Sequence, residues 1–135
     1  MPPPSERTLL DGLRICTRAD VNAHARSYLA DGRCVGWHAP ADRSGTAIVI
    51  DAELATGPPP TALARRFGDH DFWERWTRAE CAAKACRVPI PVWLREHGLG
   101  AGPDISVRTV RTTMAGTPVV VSAADVRSAS RWPSR

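Results

Sequence analysis

Residues 76–84 (WTRAECAAK) contain the two side chains best suited to chemistry, Glu80 and Lys84. Lys84 is the only lysine among the 18 lysines and arginines of the chain. Residues four positions apart lie on one face of a helix, so the carboxylate and the ammonium would be neighbours. An exposed pair of this kind would contribute only about 0.3–0.5 kcal/mol. Trp73 and Trp76 share the face, however, which predicts partial burial and favours a functional role.

A second acidic pair, Asp51 and Glu53, follows the apolar run TAIVI at residues 46–50. The β-branched run predicts a buried strand, and residues i and i+2 of a strand point to the same side. Two carboxylates held close together need a cation or a shared proton. Carboxylate oxygens favour hard cations, with Mg²⁺ preferred where phosphates are present. The alternative is that both carboxylates are solvated in a turn before residues 57–60 (GPPP).

The element that would position Glu80 and Lys84 is a helix over residues 72–87. Asp69 or Asp71 would be its N-cap, and prolines follow its end. Residues 8–16 are apolar, but Gly12 disfavours a helix there. The pattern further predicts helices over 19–30 and 61–67, a helical turn over 92–97, a strand over 33–38, and an antiparallel pair of strands over 105–110 and 118–123 that turns at Ala115 and Gly116.

These elements predict an α+β domain with a small, mainly antiparallel sheet. The sheet would contain residues 46–51, 105–110 and 118–123, and the long helix would pack across it. The helix residues expected to face the sheet are Phe72, Trp76, Ala79 and Ala83.

Length and composition limit the class of protein. The 135 residues suit one domain, with a flexible leader over 1–7 and a tail over 126–135. No apolar run approaches the ~20 residues that span a bilayer, and the start lacks a signal-peptide pattern, so we expect a cytoplasmic protein without membrane binding.

The net charge of +4 suits an acidic partner, but the scattered arginines do not indicate nucleic-acid binding. The four cysteines form no C-x-x-C pair and are interpreted as small apolar residues.

The combination TAIVIDAE … FWERWTRAECAAK resembles the 4′-phosphopantetheinyl transferase superfamily. Members of that superfamily carry a strand ending in a G-(V/I)-D-x-E pattern, followed later by a helix with W-x-x-K-E-(A/S)-x-x-K. Asp51 and Glu53 match the strand pattern. Trp76, Glu80 and Lys84 match the helix pattern position for position.

The resemblance covers residues 46–125, which are similar to the C-terminal half of the larger, surfactin-type members. Residues 8–45, a predicted helix and strand region, have no match. Ala79 stands where the family has the lysine before the glutamate, and Val49 stands where the family has the glycine of the strand pattern. The resemblance therefore describes a short, divergent member.

The resemblance implies Mg²⁺-dependent transfer of the 4′-phosphopantetheine group from coenzyme A to a serine of an acyl or peptidyl carrier protein. Asp51, Glu53 and Glu80 would bind the metal, and Glu80 and Lys84 would be catalytic. Lys84 and His38 would bind coenzyme A. Carrier proteins in this family are acidic, so an acidic partner is expected. The small members of the family use neighbouring identical subunits, so a homo-oligomer is also expected.

Three alternatives remain open at this stage. The chain could be a non-catalytic relative that binds coenzyme A or a carrier protein. It could be a different magnesium enzyme acting on phosphate esters. It could also be a plain interaction domain, in which Glu80 and Lys84 form a surface ion pair.

Overall fold

A computed structural model of the chain describes residues 2–43, 45 and 47–126. These residues form an α+β fold with two three-stranded antiparallel sheets and four α-helices. The elements are α1 (Glu6–Gly12), β1 (Leu13–Cys16), β2 (Ala25–Tyr28), β3 (Cys34–Trp37), β4 (Ile48–Leu54), α2 (Thr61–Phe67), α3 (Phe72–Cys86), α4 (Ile90–His97), β5 (Val107–Met114) and β6 (Thr117–Asp125). The strand order is β1-β3-β2 in the first sheet and β4-β6-β5 in the second.

The second sheet confirms the predicted antiparallel sheet. β5 and β6 pair across Ala115 and Gly116, whose φ angles of 48° and 76° are those of a two-residue hairpin turn. β4 pairs with the other edge of β6 and extends to Leu54, beyond the predicted end of that strand. Thr46, the first residue of the predicted strand, lies outside the described residues.

The helix α3 packs on the second sheet and carries several small, buried side chains. Ala79, Ala82 and Ala85 are fully buried, while Trp76 is only partly buried. Phe72 and Ala83 are also buried. Helix residues that bond the sheet include Thr77, Cys81 and Lys84, which reach Ser122 and the carbonyls of Val49 and Ile50. Their spacing puts them on another face of α3 than Ala79 and Ala83, so the predicted sheet-facing set is not the one that makes these bonds.

Buried hydroxyl groups join the helix to the sheet. Ser122 on β6 donates a hydrogen bond to the Thr77 hydroxyl at 3.0 Å, and Thr77 donates to the Glu74 carbonyl at 3.0 Å. The Thr109 hydroxyl lies 2.8 Å from that of Ser122. The contact between α3 and the sheet therefore has a fixed register as well as apolar burial.

The ends of α3 differ in detail from the prediction. Asp71 occupies the N-cap position, but its side chain makes no capping hydrogen bond and its backbone is left-handed, with a φ of 45°. The helix ends at Cys86. Arg87 adopts a left-handed conformation there, and the amide of Val88 bonds the Ala83 carbonyl at 2.9 Å.

The helix predicted over residues 19–30 is wrong, because this segment contains β2. Ala25 and Ser27 are buried while Arg26 and Tyr28 are exposed, which is the alternation of a half-buried strand. As a strand, the segment pairs with the second edge of β3, whose first edge pairs with β1. The hydrogen bonds between the backbones of β2 and β3 therefore outweigh the apolar spacing that predicted a helix.

Asp20, expected to cap that helix, has a different role. Its Oδ2 lies 2.7 Å from His38 Nε2. It also lies over Gly36 on β3, where an added Cβ would be 2.5 Å from the same oxygen. The absence of a side chain at Gly36 thus allows the carboxylate to reach His38.

The flexible leader predicted over residues 1–7 is also wrong in extent. Pro3 and Pro4 are buried, and α1 begins at Glu6. Ser5 is its N-cap and accepts a hydrogen bond from an amide of the first turn. The predicted tail over 126–135 lies, apart from its first residue, outside the described part of the chain.

Gly12 marks the junction between α1 and β1. A Cβ at this position would lie 2.5 Å from Trp37 Nε1 and from the His38 carbonyl oxygen. Trp37 is fully buried beneath the junction. The absence of a side chain at Gly12 thus makes room for the largest side chain of the first sheet.

Both sheets contribute to one apolar core, so residues 8–45 pack against residues 46–125. The first sheet supplies Leu13, Val35 and Trp37, and the second supplies Ile50 and Val121, among others. Within the described residues, no helix is long and apolar enough to cross a membrane.

Enlarging a buried alanine of α3 should destabilise the fold. Ala82→Leu inserts three carbons between the helix and its neighbours and should lower the free energy of unfolding by about 1–3 kcal/mol. Ala62→Leu, at an exposed position of α2, should change it by less than about 0.5 kcal/mol. Urea unfolding measures both, and equal midpoints for the two variants would contradict the close packing of α3.

Candidate metal centre

The register of β4 decides which side chains face α3. Ile48, Ile50 and Ala52 belong to the core shared by the two sheets, whereas Val49 packs with the residues of α3. Because successive side chains of a strand alternate, Asp51 and Glu53 lie on the side of Val49. The sequence pattern D-x-E on this strand therefore directs both carboxylates toward the helix.

The two acids of β4 meet Glu80 of α3. Ligand oxygens of Asp51, Glu53 and Glu80 all lie within 4.8 Å of one another. Asp51 is 4% exposed, and its Oδ2 is buried without a hydrogen-bond partner among the described residues. A buried, unpartnered carboxylate oxygen beside two further carboxylates matches what a hard divalent cation requires.

Lys84 is the cation that the described structure places beside this group. Its Nζ lies 3.8 Å from Asp51 Oδ1 and donates a hydrogen bond to the Ile50 carbonyl oxygen at 2.8 Å. The side chain remains 40% exposed. One ammonium therefore stands beside three carboxylates and keeps part of its surface open to solvent.

Trp76 holds the carboxylate of Glu53 in place. Its indole Nε1 donates to Glu53 Oε1 at 3.2 Å. The sequence indicated Trp76 as a residue of the same helix face, but not as a hydrogen-bond donor to Glu53. That role depends on the distance between β4 and α3, which the spacing of residues along the chain does not give.

The electrostatics of the group favour added positive charge. Burial, followed by the charge of Glu80, raises the pKa of Asp51 far above its usual range, and Lys84 offsets only part of this. Burial and Glu80 likewise raise the pKa of Glu53 to about 7. Without a cation, Asp51 and Glu53 therefore hold protons at pH values where ordinary carboxylic acids have lost them.

His38 is the predicted site residue that the structure does not bring into this group. It follows β3 in the first sheet, and its Nε2 pairs with Asp20. The acidic cluster formed by the described residues contains Asp51, Glu53 and Glu80 alone. The four residues predicted on β4 and α3 thus converge, and the histidine does not.

Comparison with known proteins gives no relative for this chain. No family model, curated protein or solved structure matches it. The fold and the site therefore define a class in physical terms, a small α+β protein with a three-carboxylate centre and a lysine between a strand and a helix.

Asp51→Asn should stabilise the metal-free protein at high pH. Because the pKa of Asp51 is raised on folding, the folded state holds a proton that the unfolded chain releases above about pH 4, so stability falls as the pH rises toward the raised pKa. The neutral amide removes this dependence, and a gain of about 1–3 kcal/mol is expected at pH 8.

The measurement is urea unfolding in a chelator at pH 5 and pH 8. Asp69→Asn, at an exposed carboxylate, is the control and should leave the pH dependence of wild type intact. A variant Asp51→Asn that is less stable than wild type at pH 8 would show that the carboxylate is well compensated without a metal.

Divalent cations should stabilise the wild-type protein by mass action. Mg²⁺ or Mn²⁺ at about a hundred times its dissociation constant should add about 2.7 kcal/mol to the free energy of unfolding. Glu53→Gln and Glu80→Gln each remove a ligand charge and should reduce this gain. Glu74→Gln is the matched control on α3, because Glu74 pairs with Arg111 at 2.6 Å outside the cluster. Equal stabilisation of all variants would exclude the centre.

Proposed function

We propose that this protein transfers the 4′-phosphopantetheine group from coenzyme A to a serine of an acyl or peptidyl carrier protein. The observation that supports this most directly is the convergence of Asp51, Glu53 and Glu80 within 4.8 Å, with Lys84 3.8 Å from Asp51. These are the residues that carry the resemblance to the phosphopantetheinyl transferases. Their meeting depends on a strand register and a helix packing that the motif alone does not fix.

Asp51, Glu53 and Glu80 would hold Mg²⁺, which when bound neutralises negative charge on a pyrophosphate. Glu80 accepts the proton of the carrier serine, directly or through a water molecule. The serine oxygen then bonds the phosphorus that carries pantetheine, and the bond from this phosphorus to the bridging oxygen breaks. Adenosine 3′,5′-bisphosphate leaves with that oxygen. Positioning and charge neutralisation supply most of the rate enhancement in such a transfer.

Lys84 binds the phosphates of coenzyme A in this proposal. An ammonium has three donors, and the Ile50 carbonyl accepts from Nζ at 2.8 Å, which leaves two donors for a ligand. Its partial exposure leaves it accessible. A planar guanidinium cannot distribute its donors in this way, which accounts for the one lysine in a chain otherwise supplied with arginine.

The remainder of the coenzyme A site would come from the first sheet or from a second copy of the chain. The first sheet packs against the second, so His38 and its neighbours belong to the same body as the acidic centre. A homo-oligomer remains part of the proposal, with light scattering as its measurement. The net charge of +4 is compatible with an acidic carrier protein.

One observation favours a second candidate function, a non-catalytic module that binds coenzyme A or a carrier protein. Ala79 occupies the position of the family's first lysine, and it is fully buried in the core under α3. Val49, at the position of the family's glycine, also packs against the helix. Any contact that the family makes through that lysine is therefore missing from this chain.

A transfer assay separates the two candidates. Wild-type protein with Mg²⁺ and coenzyme A labelled in the pantetheine moiety should label an apo carrier protein. Glu80→Gln and Lys84→Ala should each lower the rate by about 10²–10³-fold, as expected for lost proton transfer or lost charge stabilisation. Lys84→Arg should not restore the rate, because the guanidinium geometry differs.

Glu74→Gln on the same helix is the control and should keep wild-type activity. Binding of coenzyme A without labelling of any of several carriers would favour the non-catalytic module. Phosphate release without a carrier would favour a phosphate-ester hydrolase. If Glu80→Gln and Lys84→Ala labelled a carrier as fast as wild type, this active site would be refuted.

A further inference from the structure

Two cysteines face each other on the side of the first sheet that points away from the shared core. Cys16 on β1 and Cys34 on β3 are directly opposite in the antiparallel register. Their neighbours Ile15 and Val35 pack in the core. Because side chains alternate along a strand, the two cysteines share the other face of the sheet.

Their separation suits a disulfide. Directly opposite residues of an antiparallel pair have Cα atoms about 4.5–5.5 Å apart. Disulfide bonds occur at Cα separations of about 4.4–6.8 Å. Both residues are free thiols. The Cα separation therefore allows the bond, which forms once the strands adjust enough to bring the two Cβ atoms within about 4.5 Å.

The two thiols differ in exposure because of their places in the sheet. Cys34 lies on the central strand, between Cys16 on one side and Tyr28 on the other, and it is fully buried. Cys16 lies on the edge strand and is partly exposed. A reagent from solution can thus reach Cys16 first, and Cys34 is the neighbour that can respond.

We propose that Cys16 and Cys34 form a reversible dithiol–disulfide site that reacts with low-molecular-weight disulfides. The Cys16 thiolate attacks one sulfur of the reagent, forming a mixed disulfide and releasing one thiolate of the reagent. The Cys34 thiolate then attacks Cys16 Sγ, forming the Cys16–Cys34 bond and releasing the second. The two cysteines lose two protons and two electrons, and the reagent disulfide is reduced to two thiols.

The other two cysteines provide an internal comparison. Cys81 is fully buried on α3, and burial raises the pKa of its thiol. Cys86 is partly buried near the end of the same helix, five residues further along. Residues five apart on a helix do not face one another. Cys81 and Cys86 are therefore not direct neighbours, as Cys16 and Cys34 are.

The cross-link would fasten the short edge strand β1 to the centre of its sheet. It would close a loop that contains β2 and the segment whose Asp20 binds His38. Closing a loop restricts the unfolded chain more than the folded one, so the oxidised protein should unfold at a higher temperature than the reduced protein.

The test uses the full-length protein incubated with oxidised glutathione. The expected product is a monomer whose mass has fallen by two hydrogen atoms, whose titratable thiols have fallen from four to two, and whose Cys16 and Cys34 peptides are joined. Dithiothreitol should reverse each change. The proposal does not depend on the proposed function.

Variants distinguish this site from general thiol oxidation. Cys34→Ala should stop at a glutathione adduct on Cys16, Cys16→Ser should form no intramolecular bond, and Cys86→Ser should react like wild type. Thermal unfolding of the reduced variants checks that each one folds. A lasting glutathione adduct on wild-type Cys16, disulfide-linked dimers, or four unreacted thiols would each overturn the proposal.

Discussion

The interaction on which the candidate function depends is the repulsion among three carboxylates held between β4 and α3. Asp51 is buried with an unpartnered oxygen, and the single lysine beside it cannot balance three negative charges. Such a group is stable only when protonated or when a divalent cation lies among its oxygens. A fold that keeps it in place must supply the lost stability elsewhere, which is consistent with the many fully buried side chains of the shared core.

The geometry of the site follows from how closely α3 approaches the sheet. The hydrogen bonds from Ser122 to Thr77 and from Lys84 to the Ile50 carbonyl hold α3 against β6 and β4. Together they place Glu80 opposite Asp51 and put the Trp76 indole within reach of Glu53. The three clustered carboxylates are thus carried by regular elements whose positions are fixed by packing, which is what a precise ligand set would require.

The sequence predicted the parts of this arrangement that rest on local patterns. α2, α3 and the β5–β6 hairpin follow from apolar periodicity and turn residues, and the acidic pair with Glu80 and Lys84 follows from spacing and the family resemblance. β2 was predicted as a helix because its pairing with β3 is a long-range interaction that local periodicity does not contain. The unpartnered oxygen of Asp51 and the bond from Lys84 to the Ile50 carbonyl were also beyond prediction, since both depend on how far apart strand and helix lie.

The contact between the two sheets also fixes the backbone of β4, the strand that carries Asp51 and Glu53. The Ala52 amide donates to the Ser27 hydroxyl of β2 at 3.0 Å, and Ala52 is the residue between Asp51 and Glu53. The backbone that carries both acids is thereby tethered to the N-terminal third of the chain. A rearrangement of the first sheet would therefore reach the backbone between Asp51 and Glu53 through this hydrogen bond as well as through the shared apolar core.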